Sequence, residues 1–223
     1  MNRSGHPLKA MKVLLSCLLL VFANAHTVLF AALAIDSPGT GHFGKNEGPL
    51  SNNYGWIFTI GTSDLLVSGL GIWDDNGDGL VASHPVGIWD ATGALVAQTV
   101  VPVGTQAPLV GQFRVQALSA PLPLPVGATF TIGAFYDGDD VFSGSYATPP
   151  SVSPAITAVV PRHNFSPVLS LPDRPPAPGA GPTPYVGPTF EFTPVPEPRV
   201  FVLSAGAVLL VAAWRRRVWP FRM

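Results

Sequence analysis

Residues 129–136 read TFTIGAFY and carry the clearest strand pattern in the chain. Thr131, Gly133 and Phe135 alternate with a wholly apolar set at the even positions. Successive side chains of a strand point to opposite faces, so this alternation predicts a strand with one buried face. Residues 189–192, TFEF, repeat the pattern with a glutamate between two phenylalanines.

Short apolar segments of this kind recur between clusters of Gly, Pro, Asn and Asp. The 23 glycines and 25 prolines disfavour long helices. Eight short strands at this spacing predict an all-β chain, folded as an antiparallel β-sandwich of the jelly-roll kind. The predicted strands are residues 54–60, 64–72, 86–90, 95–103, 111–117, 129–136, 155–159 and 189–192.

The charges are distributed unevenly along the 223 residues. The chain has a formal net charge of −1, but residues 36–198 hold all 13 acidic residues and only four basic ones, which gives −9. A region this acidic, which we call the body, repels phosphate backbones, so nucleic acid is excluded as a partner. Cations, or surfaces bridged by cations, are favoured instead. The simpler alternative is that surplus acid keeps an apolar-rich domain soluble. A single cysteine excludes an internal disulfide and a zinc cluster.

The N-terminus has the pattern of a secretory signal peptide. Lys12 precedes a largely apolar run at residues 13–22, and two A-x-A patterns follow, ending at Ala25 and Ala34. We expect cleavage after Ala34, just before a polar, Gly-rich segment, with Ala25 as the alternative. Met11 is an alternative start.

The C-terminus ends in an apolar run and a basic cluster. Residues 200–214 are apolar, and a helix of this length, at about 1.5 Å per residue, falls short of a hydrocarbon core about 30 Å thick. Snorkelling of Arg199 and of the arginines at 215–217 makes up the difference. The triple arginine keeps the tail in the cytoplasm and the body outside. We predict a transmembrane helix at 200–214, for which a plain tail anchor is the simplest interpretation.

The C-terminal segment contains more features than a membrane anchor requires, and they occur in a specific order. A Pro-Glu-Pro motif, a short apolar helix and an arginine cluster follow one another, and this order closely resembles the PEP-CTERM sorting signal. The resemblance implies an inner-membrane intermediate in a Gram-negative bacterium that makes extracellular polysaccharide. It also implies an exosortase that recognises the motif and cleaves nearby. The residues that carry it are Pro196, Glu197, Pro198, Arg215, Arg216 and Arg217.

The central region also resembles a β-sandwich domain of unknown function found in many PEP-CTERM proteins. The likeness covers most of residues 50–193 and implies a fold but no activity. It rests on GWIF at 55–58, LGIWD at 70–74, HPVGIWD at 84–90 and GPTFEF at 187–192. We therefore divide the chain into a signal peptide at 1–34, a β domain at 36–193 with a Pro-rich C-terminal part, and a sorting segment at 194–223.

Residues 74–79, DDNGDG, fit the opening of a calcium loop, with oxygens from Asp74, Asn76 and Asp78. The twelfth position is Pro85, where an EF-hand needs a bidentate glutamate, so the fold would have to supply another carboxylate. The alternative is an ordinary Asp/Asn/Gly turn. If the loop binds calcium, the candidates for the additional carboxylate are Asp137, Asp139 and Asp140, with Asp90 as a further one.

The tetrapeptide Gly-Ile-Trp-Asp occurs twice, 16 residues apart, and contains Trp73 and Trp89. We interpret the two copies as strand ends in which the tryptophan packs inside and the aspartate begins a turn. The alternative is a pair of aromatic rings that bind a ligand such as a sugar, to which Trp56 could contribute if exposed.

No recognised catalytic motif is present, and the body has three histidines and no cysteine. We predict a non-catalytic exported protein of the cell surface or extracellular matrix that acts in exopolysaccharide structure, biofilm structure or adhesion. Its partners would be an exosortase, the inner membrane during sorting and exopolysaccharide, with calcium as a candidate cofactor. The alternatives are a carbohydrate-binding module and, second, a glycan-processing enzyme with two carboxylates facing one cleft.

Overall fold

The computed structural model describes residues 30–37, 44–45, 52–137, 140–143, 149–176 and 187–196. All regular secondary structure in these ranges is β-strand, which confirms the predicted all-β class for this part of the chain. The strands belong to one compact unit, Ala31–Met223. The predicted signal and transmembrane helices lie outside the described residues, and within those residues no helix has the length and hydropathy needed to cross a membrane.

Fourteen strands form within the described ranges, most of them short and bounded by Gly, Pro or Asp. They are β1 (Ala32–Leu33), β2 (Ile35–Ser37), β3 (Gly44–Lys45), β4 (Asn52–Ile60), β5 (Leu65–Trp73), β6 (His84–Asp90), β7 (Leu95–Val101), β8 (Leu109–Val110), β9 (Phe113–Leu124), β10 (Thr129–Tyr136), β11 (Val141–Ser143), β12 (Ser151–Val152), β13 (Ile156–Asn164) and β14 (Pro188–Pro194).

Two five-stranded antiparallel sheets account for most of these strands. The first sheet has the order β1-β14-β5-β9-β8, and the second has the order β13-β4-β10-β6-β7. Two small ladders, β3 with β11 and β2 with β12, complete the pairing among the described strands. In the second sheet β10 lies between β4 and β6, with Gly133 opposite Gly55 on one side and Gly87 on the other.

The two sheets share an aromatic core. Trp56 and Phe58 of β4 pack against Phe190 of β14, with ring centroids 5.9 and 4.9 Å apart. The indole N–H of Trp56 donates to the carbonyl of Pro188 at 2.9 Å, so the polar atom of this fully buried ring has a partner. Burial of large aromatic side chains with such geometry supplies much of the apolar stabilisation of a small β domain.

β10 differs from its predicted one-sided burial, because residues on both of its faces are buried. A segment of the Pro-rich region, residues 165–174, contributes to this burial, and we call it the strap. A Cβ on Gly133 would lie 2.7 Å from Cγ of Pro172, so the strap contacts the outer face of β10 there. Asn53 holds the strap: its Nδ2 donates to the Val168 carbonyl and its Oδ1 accepts from the Ser170 N–H, both at 3.0 Å.

The predicted strands all correspond to observed ones, but several boundaries differ. β13 continues through Pro161 to Asn164, beyond the predicted end at 159. It is an edge strand, where a missing N–H can face away from the ladder, and this position tolerates proline. Pairing also begins at Ala32 in β1, before the predicted domain start at residue 36.

Candidate functional site

The acidic connection between β5 and β6, residues 74–83, contains the residues that the sequence marked for calcium. It leaves β5 after Trp73, and Gly77 and Gly79 take positive φ angles of 72° and 116° that side chains other than glycine rarely adopt. Leu80 then forms a bridge with Gly104, with the two N–H···O bonds at 2.8 and 3.2 Å. The loop is therefore tied to a neighbouring turn.

Asp74 is buried and paired with Arg114 of β9. Its Oδ2 accepts from Arg114 Nε at 2.7 Å and from the Gly79 N–H at 3.0 Å. Arg114 also donates through Nη2 to the carbonyl of Gly77 at 2.7 Å and through Nη1 to that of Ala107 at 3.3 Å. The side chains of Arg114 and Asp74 are 7% and 1% exposed. A guanidinium group thus supplies positive charge at this loop, bonded to a carboxylate and to two backbone carbonyls.

Asp140 forms a second buried pair, with His84 at the start of β6. His84 is fully buried, and its Nε2 lies 2.9 Å from Asp140 Oδ2. Its Nδ1 lies 2.9 Å from the carbonyl oxygen of Phe135. A carbonyl oxygen and a carboxylate both accept hydrogen bonds, so each ring nitrogen of His84 faces an acceptor.

The surroundings of Asp140 favour its ionised form. Burial alone would raise its pKa, but the hydrogen bond from His84 and those from the backbone N–H groups of Val81 and Ala82 outweigh burial, and the pKa is lowered. Both backbone bonds are 2.9 Å long. Burial, followed by the charge of Asp140, raises the pKa of Tyr136, whose ring centroid lies 4.7 Å from that of His84. Asp140 therefore fixes the end of the acidic connection to the segment after β10.

The other residues proposed for calcium take no part in the Asp74–Arg114 and His84–Asp140 pairs. Asn76 and Asp78 are exposed, and Asn76 Nδ2 donates to Asp75 Oδ1 at 3.2 Å. Asp137 is exposed and Asp139 lies outside the described residues. In the described ranges, no three His, Cys, Asp or Glu side chains converge to hold a metal ion.

Asp90 has a local role at the end of β6. Its Oδ1 accepts from the Thr92 hydroxyl at 2.6 Å and from the N–H groups of Thr92 and Ala94 at 2.8 and 3.0 Å. The Thr92 hydroxyl is the largest of the causes that lower the pKa of Asp90. Asp90 therefore stabilises the turn that leads from β6 to β7.

All three tryptophans considered for ligand binding are buried. Trp56 is 0% exposed, Trp73 is 3% and Trp89 is 5%. The Trp89 ring covers the space left by two glycines of its own sheet, since a Cβ on Gly87 would lie 2.9 Å from Cη2 and one on Gly133 would lie 3.3 Å from Cζ3. In this conformation the rings serve packing, and a sugar has no access to their faces.

The start of the predicted sorting motif lies just beyond β14, the last of the described strands. The N–H of Val195 donates to the carbonyl of Asp64 at 2.8 Å, and Pro196, which follows, is exposed. The other motif residues lie outside the described ranges, namely Glu197, Pro198, Arg215, Arg216 and Arg217.

Arg114 and His84, the basic partners of the two buried aspartates, differ in how far the sequence indicated their roles. Arg114 was not predicted as a site residue, although it is one of four basic residues in an acidic body and lies between Phe113 and Val115 in a predicted strand. A lone charge flanked by apolar residues suggests a buried ion pair, but its partner lies 40 positions away. Proximity of His84 to the acidic loop was visible in the sequence, whereas its bond to Asp140, 56 positions away, required the fold.

Comparison with known proteins assigns no family: no protein-family model matches the chain, and neither does any curated protein at a significant level. The arrangement of side chains is therefore the basis for assigning a role. Both buried carboxylates among the described residues, Asp74 and Asp140, face a buried basic side chain. Both carboxylates make hydrogen bonds that hold the acidic connection in place.

The calcium hypothesis can be tested directly in this loop. Because Arg114 already neutralises Asp74, we expect the same melting temperature in millimolar calcium and in chelator, measured by circular dichroism. The matched variant is Asp78→Asn, which removes an exposed carboxylate of the loop. A calcium-dependent rise in melting temperature that is lost in Asp78→Asn would contradict this expectation and would support the calcium site predicted from the sequence.

Proposed function

We propose that this protein is an exported, non-catalytic component of the bacterial cell surface or extracellular matrix, sorted by an exosortase through its Pro-Glu-Pro segment. In this proposal a signal peptide directs export, and a transmembrane helix at 200–214 holds the protein in the inner membrane until the exosortase acts. The β domain is a jelly-roll-like sandwich that functions outside the cell. Its role is structural or adhesive within exopolysaccharide.

The observation that carries the proposal is the position of Pro196. β14 pairs with β5 as far as Pro194, and within the described ranges the bond from the Val195 N–H to the Asp64 carbonyl is the last that this end of the chain makes. Pro196 is exposed directly after that bond. An enzyme that recognises a short peptide motif needs a segment free of the sheet, and the motif begins where the sheet ends.

The proposed role of the body follows from its charge and its buried pairs. Residues 36–198 carry a formal charge of −9. The buried carboxylates Asp74 and Asp140 are both engaged by basic side chains, so they support the fold, and a pairing of the two for glycan hydrolysis has no support. The carbohydrate-binding alternative would need a surface other than Trp56, Trp73 and Trp89, because these rings are buried.

Sorting can be tested with Glu197→Ala in the full chain, expressed in the bacterium that encodes it. We expect the wild-type protein to be found outside the cell without its C-terminal helix. We expect the variant to accumulate in the inner-membrane fraction at full length, because the motif is no longer recognised. The readout is fractionation followed by intact-mass measurement.

The matched control for this test is Glu191→Gln. Glu191 lies in β14, six residues upstream, and accepts a hydrogen bond from Ser68 that glutamine can preserve. This variant should be sorted like the wild type. Equal processing of Glu197→Ala and wild type, or a wild-type protein that keeps residues 199–223, would contradict the proposal.

A further inference from the structure

The segment around Ala34 is an integral part of the β domain. Ala34 and Ile35 are 0% exposed and Leu33 is 8% exposed. β1 pairs with β14 at the edge of the first sheet, with Ala32 opposite Phe192. The A-x-A pattern that ends at Ala34 therefore overlaps the folded core.

Backbone hydrogen bonds fix this segment on two sides. The Ala34 N–H donates to the carbonyl of Phe190, and the Ala34 carbonyl accepts from the Ser153 N–H, both at 2.9 Å. The Ile35 N–H donates to the hydroxyl oxygen of Thr189 at 3.0 Å, and that hydroxyl donates to the Ile35 carbonyl at 3.0 Å. Thr189 is itself 0% exposed.

Cleavage after Ala34 would damage this arrangement in two ways. It would remove β1 and leave the Phe190 carbonyl and the Ser153 N–H without these partners. It would also convert the buried amide of Ile35 into a charged α-amino group, and burying a charge without an opposite charge is strongly unfavourable. A domain matured at Ile35 would therefore be less stable than one that keeps β1.

The upstream A-x-A pattern avoids both penalties. It ends at Ala25 and directly follows the largely apolar run at 13–22, whose length is typical of a signal peptide. We propose that the signal peptide is removed after Ala25, so that the mature protein begins at His26 and retains β1. This inference rests on the proposed export and names the processing site that keeps the domain whole.

The test is N-terminal sequencing of the exported protein. The wild type and two variants are each expressed from the full-length gene. Ala23→Leu and Ala32→Leu place a bulky residue at the same position, two before the last alanine, of the first and second A-x-A pattern. Ala32 is exposed in β1, so its substitution leaves the core intact. We expect the wild type and Ala32→Leu to begin at His26, and Ala23→Leu to keep its signal peptide.

A mature N-terminus at Ile35, or loss of cleavage in Ala32→Leu with normal cleavage in Ala23→Leu, would overturn the inference while leaving export intact. A wild-type protein that stays in the cytoplasm with residues 1–25 attached would overturn the export proposal and this inference with it.

Discussion

Replacing Asp140 with alanine should destabilise the protein by about 3 kcal/mol or more, because each buried group left without its hydrogen-bond partner costs about 1–3 kcal/mol. The substitution leaves the fully buried His84 without its carboxylate and deprives the N–H groups of Val81 and Ala82 of their acceptors. Urea denaturation measures the change in the free energy of unfolding. The control is Asp78→Ala in the same acidic connection, which is exposed and should change stability by no more than about 0.5 kcal/mol. Equal stabilities of the two variants would show that the pair contributes little.

The same pair has a defined pH dependence. The folded-state pKa of Asp140 is lowered, so its stabilisation is fully present above the pKa of an unfolded aspartate, about 3.9. The stabilisation is lost as the pH falls from there through the lower folded-state value. The stability difference between wild type and Asp140→Ala should therefore shrink in acid below about pH 4. A difference that stays constant across this range would contradict an ionised Asp140.

Gly55→Ala should be at least as damaging, with an expected loss above about 4 kcal/mol or failure to fold. A Cβ at Gly55 would overlap the carbonyl oxygen of Ile132 and lie 2.7 Å from Cα of Gly133 in the paired strand β10. Both neighbours are backbone atoms of a central strand, so neither can move without breaking the ladder. The readouts are soluble yield and the midpoint of urea denaturation.

Gly127→Ala is the matched control for this substitution. Gly127 has a φ of 78°, and a Cβ added there would have no atom within 4 Å, so alanine meets only the backbone cost of about 1–2 kcal/mol. A Gly55→Ala variant as stable as Gly127→Ala would show that β4 and β10 can separate enough to accept a methyl group.

The strands were predictable because period-two alternation is a local property of the sequence. TFTIGAFY at 129–136 has the same bounds in the structure as in the prediction. Burial of both faces of that strand was not predictable, because one of the residues that cover Gly133 is Pro172, in a Pro-rich segment distant in sequence. β1 was missed for a related reason: Ala32–Leu33 continues the apolar composition of the predicted signal peptide, and composition alone cannot separate the two.

The candidate site was predictable only in part. The DDNGDG loop at 74–79 has the glycine-dependent turns that its composition indicated. Its electrostatics were not predictable, because Arg114 and Asp140 reach it from positions distant in sequence. The acidic motif therefore predicts that residues 74–79 form a loop. It does not predict whether a metal ion or a guanidinium group contacts the carboxylates, because that depends on residues distant in sequence.

Intact-mass measurement of the protein recovered outside the cell tests export and sorting together. We expect a chain that begins at His26 and lacks the residues after the Pro-Glu-Pro motif, including the apolar run at 200–214. A recovered chain that retains both the N-terminal 25 residues and the C-terminal arginines would contradict export and sorting as proposed.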